Sequence, residues 1–319
     1  LAKVLAAVLG PRGDPNASQL RYVDLIPMRR ARYVSLLLFI SFLQLQAQEL
    51  TLTLPLKDAS IRFAVIGDSG TGKTRQYELA AKMVEARQKF PFEFVLMLGD
   101  NMYGGESPRD FEKKFERPYK ALLDAGVKFY AALGNHDNPN QRFYKPFNMD
   151  GKQYYTYKKG AIRFFAIDSN YVDRAQLQWI EKELQNSDSE WKICYFHHPL
   201  YSSGARHGSD TDLRLLLEPL FIKYGVNVVL AGHEHFYERL KPQNGIYYFI
   251  SGAAAKLRRG NIRSSMLTMK GFDQDLSFML MEVAGDQLHF QVISRDGRTV
   301  DGGSLQHQAE ADRAHKASQ

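Results

Sequence analysis

Six apolar runs, each closing on glycine, aspartate or histidine, constrain this chain more than anything else in it. They read IRFAVIG, FEFVLMLG, VKFYAALG, IRFFAID, WKICYFH and VNVVLAGH, and they begin at residues 61, 92, 127, 162, 191 and 226. Helical patterns fall between them: TRQYELAAKMVEARQK, DFEKKFERPYKALLDAG, DRAQLQWIEKELQNS and DTDLRLLLEPLFIKYG. Such alternation predicts a layered α/β architecture with a largely parallel sheet. The carboxyl-terminal part differs. There LSFMLMEV and QLHFQVIS flank Gly285-Asp286, and Asp296-Gly297 follows, which predicts antiparallel hairpins.

The polar residues that could do chemistry sit at the carboxyl ends of these runs. Asp68 follows AVIG, Asp100 follows LMLG, and Asn135 lies in GNHD after FYAAL. His197 ends ICYF, and GHEH, with His233 and His235, ends VNVVLA. In open α/β sheets ligands bind beyond the carboxyl ends of strands, so these side chains can converge on one site. Carboxylate, carboxamide and imidazole donors together suit iron, manganese or zinc rather than calcium. Two such ions about 3.5–4 Å apart clamp a phosphoryl group for in-line displacement.

The first strand exit admits a second reading. Gly67 to Thr74, GDSGTGKT, satisfies the pattern of a nucleotide-phosphate loop, with a strand before it and a helix after. Taken alone, the segment serves a P-loop NTPase or a strand-end aspartate equally well.

Charge is informative once located. The formal +7 is concentrated in residues 1–48, which hold six Lys/Arg and two Asp/Glu; the remainder holds 36 against 33. That is no nucleic-acid footprint. The basic MRRAR, the apolar YVSLLLFISFL and then Ala47 in QLQAQE read as a signal peptide cleaved near Ala47. The apolar run is short for a bilayer span, so no stable membrane anchor is expected. The single cysteine, Cys194 within a strand, excludes an intrachain disulfide and reads as core. The organisation expected is an amino-terminal extension with signal peptide over 1–48, a domain over 49–305 and a polar tail over 306–319. Nothing in the sequence sets an oligomeric state.

GDSG, GDNMY, GNHD, HHP and GHEH, in that order across residues 61–303, resemble the calcineurin-like metallophosphoesterases, and within them the purple (tartrate-resistant) acid phosphatases. The narrowing feature is Tyr103 in GDNMY, where that branch places a tyrosinate on ferric iron. The resemblance implies a two-sheet β-sandwich flanked by helices and a binuclear centre that cleaves small phosphate monoesters. Hydroxide generated at the metals would attack phosphorus in line. By this likeness Asp68, Asp100, Tyr103 and His235 hold the first ion, Fe3+. Asp100, Asn135, His197 and His233 hold the second, Fe2+, Zn2+ or Mn2+. The histidine two residues before the motif's proline is the ligand, which selects His197 and leaves His198 without a role. His136 and His207 match histidines that contact phosphate and assist the leaving group. Asp137 and Asp168 could orient a histidine or close a turn. Lys256, Arg258, Arg259 and Arg263 read as a solvated basic loop. A phosphodiesterase or nucleotidase on the same site is the nearest alternative in chemistry. A nucleotide loop has no use for the later motifs, which makes Lys73-Thr74 a coincidence. Accordingly Lys73→Ala is expected to leave turnover of a chromogenic phosphate monoester nearly unchanged. A hundredfold loss accompanied by lost ATP binding would restore the nucleotide loop.

Overall fold

The computed structural model of the protein describes residues 50–307. The segment read as a signal peptide, residues 1–27 and the tail from 308 lie outside the described residues. Two mixed sheets face each other. The first runs β13-β12-β11-β1-β2-β3, built from β1 (Ile61–Ile66), β2 (Phe94–Leu98), β3 (Lys128–Ala132), β11 (Ser277–Ala284), β12 (Gln287–Ser294) and β13 (Thr299–Gln306). The second runs β10-β8-β9-β7-β6-β5-β4. Its strands are β4 (Tyr155–Lys159), β5 (Ile162–Ala166), β6 (Trp191–Phe196), β7 (Val228–Ala231), β8 (Tyr237–Leu240), β9 (Tyr247–Ser251) and β10 (Thr268–Phe272).

The six apolar runs form the parallel trio β1-β2-β3 and the parallel trio β5-β6-β7, one in each sheet. The carboxyl-terminal hairpins form as read, with β11 pairing antiparallel to β1. The two-sheet sandwich implied by the resemblance is present, and the largely parallel sheet read from the alternation is divided between two mixed sheets. β9 extends the β5-β6-β7 trio in parallel, while β4, β8 and β10 add antiparallel neighbours without a strong signal of their own. β8 spans four residues, and β10 is a partly exposed edge strand, TMKGF, where apolar alternation is not required.

Alternation along each strand assigns its side chains to two cores. In β6, Ile193 and Tyr195 face the other sheet, while Cys194 and Phe196 face the helices. Cys194 is fully buried, in the core role read for it. Between the sheets Phe164 of β5 meets Phe63 of β1 and Phe94 of β2 edge-on, at 5.4 and 5.5 Å. On the outer face of the second sheet lie Ile180 and Leu184 of one helix and Leu213, Leu217 and Phe221 of another. Helix α1 (Thr74–Lys89) buries Leu79, Ala80, Met83 and Ala86, a single helical stripe. The outer helices, α4 (Arg174–Gln185) and α5 (Thr211–Lys223), start on Asp173 and Asp210, whose carboxylates accept the amides of Gln176 and Leu213.

The continuous helix expected over 110–126 is broken. Short α2 (Pro108–Phe111) runs into a π-turn over Glu112–Glu116, and α3 (Lys120–Asp124) begins after Pro118. Proline at 118 removes an amide and its ring clashes with the preceding turn. The amino-terminal strap from Leu50 is tied to the first sheet: the Thr53 amide donates to Gln291, and the Leu56 and Lys57 amides donate to Glu282. Phe164→Ala would leave a void shared by both sheets. It is expected to lower the unfolding free energy by about 3–5 kcal/mol in urea melts, with the far-ultraviolet dichroism retained.

Candidate metal centre

Strand ends from both sheets meet at one edge. Asp68 and Asp100 leave β1 and β2, Asn135 leaves β3, His197 leaves β6, and His233 and His235 leave β7. Backbone hydrogen bonds tie these exits together, two of them within a sheet and one, from Ala254 to Gly67, between the sheets. Gly232 N donates to His197 O at 3.0 Å, Asp68 N to Gly99 O at 3.0 Å, and Ala254 N to Gly67 O at 3.1 Å. Glycine is required where strands approach so closely. A Cβ on Gly134 would collide with the backbone and carboxylate of Asp100, and one on Gly232 would lie 2.9 Å from Asp68 Oδ2.

All seven residues read as ligands come together, in two linked groups. In the first, the Tyr103 hydroxyl donates to Asp68 Oδ1 at 2.8 Å and lies 3.4 Å from His235 Nε2, which is 3.3 Å from Asp68 Oδ1. In the second, His197 Nε2 stands 3.0 Å from Asn135 Oδ1, 3.1 Å from His233 Nδ1 and 3.4 Å from Asp100 Oδ1. Asp68, Asp100 and His197 place donor atoms within 4.8 Å of one another. Asp68, Asp100 and His233 have positive φ, at 56°, 50° and 69°. At His233 this turns the chain out of the extended run that ends with β7. Such conformations cost energy in non-glycine residues and collect where function requires them.

The electrostatics fit a pair of cations. Burial, and then the neighbouring Asp100, push the Asp68 carboxyl well above its ordinary value. Burial drives His197 well below its ordinary value, and it lowers His233 to about 2 and His235 to about 4. The arrangement thus crowds carboxylates together and keeps imidazoles neutral, with lone pairs free to ligate. His197 Nε2 faces three partners but carries at most one proton, and two of those partners are pure acceptors. Its Nδ1 is fixed by Leu98 O at 2.9 Å, the kind of outer contact that orients a ligating ring. A divalent or trivalent ion at this position reverses the pKa logic by favouring every deprotonated donor.

The surrounding residues are held in different ways. The His136 ring packs on Tyr103 at 5.0 Å while its amide donates to Asp100 Oδ1 at 2.9 Å. The exposed His207 ring lies 4.2 Å from that of His233. His198, read as having no role, stands in the same histidine group: its ring is 4.6 Å from His233 and its Nδ1 is 2.9 Å from Ser169 Oγ. Asp137 orients no histidine. It accepts the amides of Gly134, Asn101 and Met102, and so locks the exits of β2 and β3 together. Asp168 is turned onto Asn170. A cavity of about 410 Å³ opens beside Asn135 and His198 and is lined also by Gln153, Asp168 and Tyr171.

Sequence reasoning missed Glu234, which is fully buried between the two histidines of GHEH. It accepts the amide of Gly208 at 2.8 Å and the carboxamide of Asn261 at 3.0 Å, fastening the loop that carries His207. Its signal was available: the residue between two ligands that face the same way faces the opposite side. The basic loop is also less solvated than expected. Lys256 and Arg258 are half-buried against the site, whereas Arg259 and Arg263 are exposed. The nucleotide-loop reading loses its donors. Gln76 Oε1 takes the amides of Thr71 and Gly72 at 3.0 and 2.7 Å, and Lys73 is exposed at the start of α1.

A two-sheet sandwich with acid, amide and imidazole donors gathered at one strand edge defines a metal-dependent phosphoesterase with a dinuclear centre. The chain belongs to the calcineurin-like phosphoesterase family, whose model matches residues 61–237. Purple acid phosphatase 17 of Arabidopsis thaliana is 28% identical over 290 residues, covering 75% of this chain and 86% of that protein. Two solved structures share the fold. One is GAP50, described as the anchor in the inner membrane complex of Plasmodium, at TM-score 0.69 and 17% identity over 81% of this chain and 94% of that one. The other is purple acid phosphatase PPD1 from yellow lupin (Lupinus luteus) seeds, at TM-score 0.66 and 19% identity over 81% of this chain and 55% of that one. No helix among the described residues is long and apolar enough to cross a membrane.

Three histidine variants separate holding metal from handling substrate. His197→Ala is expected to lower bound metal toward one ion per chain by atomic emission, because a donor is lost outright. His207→Ala is expected to keep both ions while turnover falls by about 10²–10⁴-fold, the usual contribution of a positioned acid. His198→Ala should do less than either. Loss of metal from His198→Ala but not from His197→Ala would reverse the ligand register.

Proposed function

We propose that the protein is an exported acid phosphatase of the purple type, hydrolysing small phosphate monoesters at an iron-containing binuclear site. The observation that carries this reading is the Tyr103 hydroxyl, 2.8 Å from Asp68 and 3.4 Å from His235 inside the donor cluster. A phenol buried between a carboxylate and an imidazole is an unsuitable general acid, because burial and the acids Asp68 and Asp100 raise its pKa far above the ordinary tyrosine value. Beside a strongly acidic ion such as Fe3+ the same oxygen would serve as an anionic ligand.

Asp68, Asp100, Tyr103 and His235 would hold the ferric ion; Asp100, Asn135, His197 and His233 would hold iron, zinc or manganese. When bound, the ions supply charge neutralisation for the phosphoryl oxygens and activate water at neutral pH. The chain's own groups do the rest. His136, fixed by its amide to Asp100 and by ring contact to Tyr103, would hydrogen-bond a phosphoryl oxygen. His207, on the loop that Glu234 fastens, stands beside His233 and can give a proton to the departing oxygen. Export rests on the basic and apolar segment before Ala47.

The oxidised protein is expected to be coloured by tyrosinate-to-iron charge transfer, and Tyr103→Phe is expected to abolish the visible band while retaining most of the metal. A colourless, fully active wild type holding two zinc or manganese ions would remove the purple assignment and leave the family.

A further inference from the structure

Beside Tyr103 and His235 the structure holds cationic groups whose hydrogen-bonding capacity is unused. Lys256 Nζ lies 4.1 Å from the centre of the Tyr103 ring. Among the described residues Lys256 has no hydrogen bond and no ion pair, so the three donors of its ammonium are free. Arg258 is anchored by its backbone, whose amide donates to His235 O at 3.0 Å. Its Nη1 is buried and makes no hydrogen bond, and its nearest acid oxygen, on Glu234, is 3.7 Å away. Glu234 already accepts from Gly208 and Asn261, so it is not free to serve the guanidinium well. Arg206, next in sequence to His207, lies within electrostatic reach of both His207 and Arg258.

A donor left unmatched on a charged group costs more than a neutral one, and a half-buried guanidinium without its bond is a stored demand for an anion. The positions say which anion. These cations flank the Tyr103–His235 end and the loop bearing His207. The cavity at the other end, beside Asn135 and His198, carries Asp168. An anionic group on a substrate's leaving side is therefore drawn to the first end and repelled from the second.

We propose that Lys256, Arg258 and Arg206 form a second anion subsite beside the metal centre, selecting phosphate esters whose leaving group carries its own phosphoryl or carboxylate oxyanion. This rests on the hydrolase reading above and adds a substrate class to it. A charge-assisted pair of this kind is worth a tenfold or larger gain in affinity.

The test uses three non-hydrolysable ligands of similar reach: propylphosphonate, 3-phosphonopropionate and propane-1,3-diphosphonate. Their dissociation constants would be measured calorimetrically on the metal-loaded protein. The second oxyanion is expected to tighten binding about tenfold or more, and high salt should shrink that ratio. Comparison of the carboxylate with the diphosphonate tells which oxyanion the subsite prefers. In Lys256→Gln/Arg258→Gln the ratio is expected to fall to about one, with metal content unchanged as the check on folding. Equal binding of all three ligands by the wild type would overturn the subsite. So would a double variant that weakens all three equally, since the cations would then serve only the scissile phosphate. A preserved preference in a protein that hydrolyses no phosphate ester would instead sink the hydrolase reading and leave the subsite standing.

Discussion

Two buried carboxylates, Asp68 and Asp100, confront each other with imidazoles around them and no lysine or arginine ion pair on either among the described residues. Burying like charges this way is expensive, and the rest of the site is arranged around that expense. The His136 and His233 amides donate to Asp100 and Asp68, offsetting part of it locally. The remainder calls for cations, which the donor set is built to bind. Charge that would be a defect in an ordinary core becomes the affinity of a metal centre.

Holding that arrangement requires rigidity from further out. Three of the seven donor residues sit in left-handed backbone, a conformation an isolated strand end would relax. The hydrogen bonds of Asp68 to Gly99 and of Gly232 to His197 within the sheets, and of Ala254 to Gly67 between them, prevent that relaxation. Behind them the aromatic contacts of Phe63, Phe94 and Phe164 fix how the sheets lie. Two further carboxylates act as fasteners rather than as ligands. Asp137 binds the β2 and β3 exits together, and Glu234 ties the His207 loop to the His233–His235 turn. The stability of the sandwich core and the geometry of the donors are thus one mechanical system.

The fold alone would not carry the functional reading. It is shared with a lupin purple acid phosphatase and also with a Plasmodium protein described as an anchor. What distinguishes hydrolysis from scaffolding is the chemistry of the strand ends. Here the ends of β1, β2, β3, β6 and β7 bring seven donor residues together, and the Lys256 ammonium and the Arg258 Nη1, neither of which makes a hydrogen bond among the described residues, add an electrostatic bias beside Tyr103 and His235.

The sequence by itself determined the strand-end positions of Asp68, Asp100, Asn135, His197, His233 and His235. Apolar runs end where a strand must end, and period-two burial leaves little freedom in register. It also determined the two carboxyl-terminal hairpins, through their turn dipeptides. Only the tertiary structure decided that the parallel trios lie in different sheets, because pairing between distant strands depends on packing that no local pattern encodes. It alone separated the Thr71–Gly72 amides from any phosphate, since Gln76 reaches them only once α1 is docked. The placement of Glu234, Lys256 and Arg258 against the site was settled in the same way. A charged residue on a loop carries no periodicity, and whether it is solvated or pressed against a tyrosine depends on where the loop comes to rest.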